Sequence, residues 1–146
     1  MHFEDFSVGQ MFETGHRTLS EQEITEFAQK WDWQYFHADA EAAKASPYGG
    51  LIASGFHTLL TAFTLTLDRQ IWQEGSMGSP GMDTIRWLEP VRPGDTLSVV
   101  VEVTGVRPSR SKPDRGVVTF HHEVRRQDET VVMVFESMVM VARRPL

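Results

Sequence analysis

Across residues 51–72 apolar side chains (Leu51, Ile52, Phe56, Leu59, Leu60, Phe63, Leu65, Leu67) fall almost all round one long helix, and from Met82 onward the pattern changes period. A helix that is apolar on every side must be enclosed by other elements. The enclosing material follows directly. Residues 82–88, 96–106, 117–126 and 130–141 are rich in Val, Phe and Thr, and Leu97, Val99, Val101 and Val103 alternate with Ser98, Glu102 and Thr104. Pro93-Gly94-Asp95 reads as a tight turn and Gln127-Asp128-Glu129 as a hairpin connection. With residues 11–19 as a first strand, this order predicts an α+β fold over residues 1–146: a single domain, its curved antiparallel sheet wrapped around a long buried central helix.

Ahead of that helix, Ser20-Glu21-Gln22-Glu23 has the form of a capping box, in which Ser20 accepts from the Glu23 amide and the Glu23 side chain reaches back. Ile24, Phe27, Ala28 and Trp31 then share one helical face, so a helix over residues 21–31 delivers Asp32 at its C-terminal end. Residues 39–45 read as a short helix, stopped by Pro47 and Gly49-Gly50.

Asp32 and His37 are the candidate acid/base pair. A turn that puts both side chains on one side lets them hold a single water, with the carboxylate orienting the imidazole. Downstream, Tyr48-Gly49-Gly50-Leu51-Ile52-Ala53-Ser54-Gly55 leads into the apolar helix. Gly55 lies near its first turn, where amides lack intrahelical partners and the helix dipole favours negative charge. The absence of a side chain there allows close approach by a ligand. A base, an acid and an oxyanion donor together suit addition of water next to a carbonyl. Trp31, Trp33, Tyr35 and Phe36 crowd the same region and predict an apolar pocket for an acyl chain.

Composition removes several other functions. The net charge of -6 disfavours binding to nucleic acid or an anionic membrane surface. No cysteine is present, which excludes disulfides, thiolate catalysis and cysteine-ligated zinc. The N-terminus carries no basic region followed by an apolar run, and the 51–67 stretch falls short of the ~20 strongly apolar residues of a membrane span. A cytoplasmic protein is expected. His121-His122 on a strand point to opposite faces, and no His-Glu-x-x-His spacing occurs, so no metal site is expected. His57 reads as a hydrogen-bonded core or interface histidine, and Met133, Met138 and Met140 as packing residues. The basic stretch 107–115 reads as a solvated hairpin loop. Arg86 and Arg92 compete with it as contacts to the phosphates of coenzyme A.

These motifs resemble those of the MaoC-like dehydratases, also called the (R)-specific enoyl-CoA hydratase family. The family's Asp-x-Asn-Pro-x-His is similar to Asp32-Trp33-Gln34-Tyr35-Phe36-His37, and its Phe-Gly-x-x-Ile-Ala-x-Gly to Tyr48 through Gly55. Its Arg-Phe-x-x-Pro-Val-x-x-Gly-Asp resembles Arg86 through Asp95. The resemblance covers nearly the whole chain and implies the hot-dog fold. It implies reversible hydration of a trans-2-enoyl-CoA thioester to the (R)-3-hydroxyacyl product, with Asp32 and His37 as the catalytic pair and the Gly55 amide on the thioester oxygen. A homodimer is implied, with its site completed across the interface and an acyl-CoA or acyl-carrier-protein thioester as substrate. Water addition changes no redox state, so no cofactor is expected beyond the coenzyme A of the substrate. The departure is Gln34-Tyr35 where Asn-Pro is usual: Gln34 keeps an amide, and the missing proline is expected to loosen the turn that presents His37. An acyl-CoA thioesterase of the same fold and a non-catalytic acyl-thioester-binding subunit stand beside this reading.

Overall fold

A computed structural model describes residues 1–145. Its elements are β1 (Met11–Glu13), β2 (Arg17–Thr18), α1 (Glu21–Trp31), α2 (Tyr35–Ala38), α3 (Ala40–Ala43), α4 (Gly55–Asp68), β3 (Gly81–Trp87), β4 (Thr96–Pro108), β5 (Arg115–Arg125) and β6 (Val131–Ala142). The strands form one antiparallel sheet in the order β1-β4-β5-β6-β3, and β2 pairs with β4 beside β1. Leu97, Val99, Val101 and Val103 are all buried, as the alternation predicts. They meet the inward residues of β5 and β6, among them Val118, Phe120, Val124, Phe135 and Val141. Irregular registers at Val103/Gly105 in β4 and Asp83/Arg86 in β3 interrupt the ladder, as bulges do where a strand bends and twists more strongly.

Four local expectations change. The predicted first strand is two short pieces, because Thr14 substitutes for a ladder partner. Its backbone N–H donates to the Val99 carbonyl at 3.0 Å while its hydroxyl accepts from the Val99 N–H at 2.9 Å. Only half of the capping box forms. Ser20 Oγ accepts from the Glu23 amide at 3.1 Å, but the Glu23 carboxylate lies 3.7 Å from Arg17 instead of returning to the cap.

The central helix begins four residues later than predicted, at Gly55, and ends at Asp68. Residues 51–54 are extended because their backbone donors are committed sideways: Ile52 N–H to the Phe36 carbonyl (3.0 Å) and Ala53 N–H to the Val91 carbonyl (2.8 Å). Ser54 then caps α4, accepting from the Phe56 amide at 3.3 Å. Nor is α4 buried all round. Its buried residues are His57, Thr58, Thr61, Ala62, Leu65 and Thr66, while Phe56, Leu60 and Phe63 are 60%, 49% and 43% exposed. Threonine suits the inner side because its hydroxyl can be satisfied within the helix: Thr61 donates to the His57 carbonyl and Thr66 to that of Ala62, each at 2.8 Å.

Candidate active site

Asp32 terminates α1. Its N–H still donates to the Ala28 carbonyl at 2.9 Å, but its own backbone has left the helical region (φ −155°, ψ 74°). Gln34, in an extended conformation, starts the single turn of α2, which the sequence reading did not anticipate. That turn brings His37 back over Asp32, with Nε2 3.5 Å from Oδ2. The other ring nitrogen, Nδ1, lies 2.7 Å from the Ile52 carbonyl. A carbonyl can only accept, so Nδ1 carries the hydrogen and Nε2 of the neutral ring presents a lone pair toward the carboxylate.

The carboxylate is held at both oxygens. Gln34 Nε2 donates to Oδ1 at 2.8 Å, and Ser54 Oγ donates to Oδ2 at 2.7 Å. Burial opposes ionisation of Asp32, but the hydrogen bonds from Gln34 and Ser54, reinforced by His37 whenever its ring is protonated, outweigh it, so its carboxyl sits below the usual aspartate range. Gln34 thus meets the acid with the amide that the sequence offered in place of asparagine.

Asp32, His37 and Gly55 line one cavity of about 440 Å³, walled by Phe36, Tyr48, Phe56 and Trp87. Gly55 is the first residue of α4, where an amide has no intrahelical acceptor. Its missing side chain serves Trp87 as well as any ligand. A Cβ at Gly55 would fall 2.5 Å from Trp87 Cε2, and the indole N–H donates to the Gly55 carbonyl at 2.9 Å.

Of the four aromatic residues expected to crowd the pocket, only Phe36 lines it. Trp31, Trp33 and Tyr35 are exposed, Trp33 by 76%, because the turn of α2 that buries His37 directs its neighbours outward. Arg86 and Arg92 also lie outside the lining. Arg86 is exposed on edge strand β3, and Arg92 Nη2 donates to the Tyr48 carbonyl at 2.8 Å, bracing that loop. The 107–115 stretch forms the exposed β4–β5 hairpin end, where Arg115 pairs with Asp114 at 2.9 Å. His57 is buried and stacks on Phe27 at 4.5 Å, but its Nδ1 finds no partner among the described residues. Burial pushes its pKa down. His122 stacks on Phe135 and meets Ser137 Oγ at 2.8 Å, on the face opposite His121. Among the described residues no three His, Asp or Glu side chains cluster closely enough to hold a metal ion.

The sequence reading missed Ser54, Tyr48, Phe56 and Trp87. For Ser54 a signal was present: a serine directly before a glycine and a helical run is an N-cap pattern, and reading it so would also have set the helix start.

Compared with known families, residues 5–125 match the model of the MaoC like domain. The chain belongs to the MaoC-like dehydratase family. A MaoC-like dehydratase from Rhodospirillum rubrum has the same hot-dog fold, with a TM-score of 0.93 and 37% identity, covering 100% of this chain and 99% of that one. The uncharacterized protein YdeM of Bacillus subtilis is 32% identical over 143 residues, 98% of this chain and 100% of that protein. The 3-hydroxyacyl-thioester dehydratase Z of Mycobacterium tuberculosis is 31% identical over 93 residues, covering 61% of this chain and 60% of that enzyme. Among the described residues of this MaoC-like chain, no helix is long and apolar enough to cross a membrane.

Proposed function

We propose that this chain is a hydro-lyase that reversibly adds water to a trans-2-enoyl thioester of coenzyme A or an acyl carrier protein, giving the (R)-3-hydroxyacyl thioester. The observation that carries the reading is the facing pair of acceptors, Asp32 Oδ2 and His37 Nε2, 3.5 Å apart on the wall of an apolar cavity. Two lone pairs at that distance repel unless a donor lies between them. A water donating one hydrogen to each satisfies both and is itself polarised toward hydroxide.

In the hydration direction the water oxygen bonds to C3 of the enoyl group, and its proton passes to the pair. The π electrons move toward the thioester oxygen, where the Gly55 amide and the start of α4 stabilise the enolate. The pair then returns a proton to C2, so one water is consumed and the residues are restored. No electrons are exchanged, and the step calls for no flavin, nicotinamide or metal.

The active unit in this reading is a homodimer. Phe56, Leu60 and Phe63 of α4 and Met82, Ile85 and Trp87 of β3 leave large apolar side chains exposed, and β3 pairs with β6 alone. An unpaired, apolar edge strand invites joining to a second copy.

The test follows loss of enoyl absorbance with crotonyl-CoA and longer trans-2-enoyl-CoAs, alongside release of free thiol. Absorbance should fall without thiol release, and Asp32→Asn and His37→Ala should each lower kcat by about 10²- to 10⁴-fold, the usual contribution of a positioned acid or base. Thiol release from a saturated acyl-CoA would replace this reading by a thioesterase. A folded dimer that binds but turns over no chain length would replace it by a binding subunit.

A further inference from the structure

Every group assigned to the proposed reaction touches the four residues from Ile52 to Gly55 that lead into α4. The Ile52 carbonyl accepts from His37 Nδ1, Ser54 Oγ donates to Asp32 Oδ2, and Gly55 opens α4. Within that segment Ser54 is the only residue engaged by its side chain on two sides. Its hydroxyl donates to Asp32 at 2.7 Å while accepting from the Phe56 amide at 3.3 Å. It is 0% exposed, so it cannot reach a substrate and is no nucleophile.

We propose, resting on the hydratase reading, that Ser54 is the positioning residue of this site: its one hydroxyl locks the reactive oxygen of Asp32 to the helix end that begins with Gly55, so base and oxyanion donor hold a fixed separation. The direction of the hydrogen bond sets the state of the acid. A hydroxyl whose hydrogen is spent on Oδ2 stabilises that oxygen as an unprotonated acceptor, ready to take a proton from water. Gln34 does the same for Oδ1, but from an exposed position at the start of α2. Ser54 is buried, with the chain before it held by the amide bonds of Ile52 and Ala53 and its own carbonyl accepting from the Thr58 amide in α4.

The decisive measurement is a carbon-13 NMR titration of aspartate-carboxyl-labelled dimer, with the Asp32 signal assigned by its loss in Asp32→Asn. The titratable groups sharing the cavity are His37, Tyr48 and Glu89, and the same titration in His37→Ala separates the histidine's influence. Three variants divide cap from positioning. Ser54→Ala removes both, Ser54→Gly keeps a residue tolerated at an N-cap, and Ser54→Thr restores the hydroxyl. The Asp32 midpoint should rise by about one pH unit in Ala and Gly and return in Thr, as expected for loss of a hydrogen bond to a charged group. With it, kcat for enoyl hydration should fall about 10-fold or more while KM moves less than about 3-fold. An unmoved midpoint in Ser54→Gly, or a moved midpoint with unchanged kcat, would overturn the proposal. If wild-type protein hydrates no enoyl thioester, the reaction assigned above fails, and the midpoint still decides whether Ser54 holds Asp32.

Discussion

At the scale of single residues, buried polar groups carry two different instructions. Asp32 is surrounded by donors that favour its charge, whereas His122 is surrounded by apolar walls that oppose it. Burial, with a smaller push from the charge of His121, brings the His122 pKa from 6.5 down to about 3. The unfolded chain therefore binds a proton that the folded chain refuses between about pH 6.5 and pH 3. Stability should be level above pH 6.5 and fall as pH drops through that window, by a few kcal/mol in all on the scale of ~1.4 kcal/mol per pH unit. Urea unfolding at a series of pH values reads this slope. His122→Gln, which can still bond Ser137 but cannot titrate, should flatten it; an unchanged slope would assign the acid sensitivity elsewhere. Candidate residues were legible in advance where chemistry restricts the choice: Asp32, His37 and Gly55, picked out by type and spacing, do meet at one cavity. They were illegible where packing decides. Trp33 and Phe36 are both aromatic and three apart, and only the turn of α2 determines that one is exposed and the other lines the cavity.

At the scale of elements, the departure at Tyr35 is milder than the sequence suggested. The turn presenting His37 is intact without proline: the His37 and Ala38 amides both donate to the Gln34 carbonyl, at 2.9 and 3.1 Å. Tyr35 occupies the first helical position, which favours proline, and Gln34 at φ −66°, ψ 139° already has the conformation a residue before proline must adopt. Tyr35→Pro should accordingly stabilise the chain by about 0.4–1 kcal/mol through the unfolded state and leave kcat within a few-fold. A raised urea midpoint with retained activity is the expected result, and a lowered midpoint would mean that the tyrosine ring has packing value after all. At the start of α4, Gly55→Ala forces the Trp87 indole off its place and breaks its bond to the Gly55 carbonyl. Trp87 is exposed enough to swing away, so the expected result is a change in tryptophan emission and a loss of turnover of about 10-fold or more, with only about 1 kcal/mol of stability lost. Equal losses in stability and turnover would point to a general collapse instead. The limits of β3, β4, β5 and β6 were legible to within about two residues because alternation and turn residues coincide. The start of α4 was misread because Leu51, Ile52 and Ala53 are as apolar as the helix they precede, and hydrophobicity alone does not separate an extended buried segment from a helical one.

At the scale of the whole molecule, the change of apolar period was sufficient to identify the sheet and its helix. It could not separate the buried side of α4 from the side that carries Phe56, Leu60 and Phe63, since an exposed apolar face is written in the same residue types as a core. In the proposed dimer, Leu60→Asp puts a charge into that surface. Sedimentation should show monomer where the unchanged chain is dimeric, with turnover lost alongside. A dimer surviving the substitution would move the seam elsewhere. Strand β3 gives this its sharper form, because Trp87, its last residue, is at once exposed at the sheet edge and bonded to Gly55 on the cavity wall. If the proposed seam and the proposed catalytic wall share this strand, the rate depends on how much protein is in the cuvette. Specific activity should decline on dilution, recover on concentration, and carry a lag whenever the two states are slow to interchange.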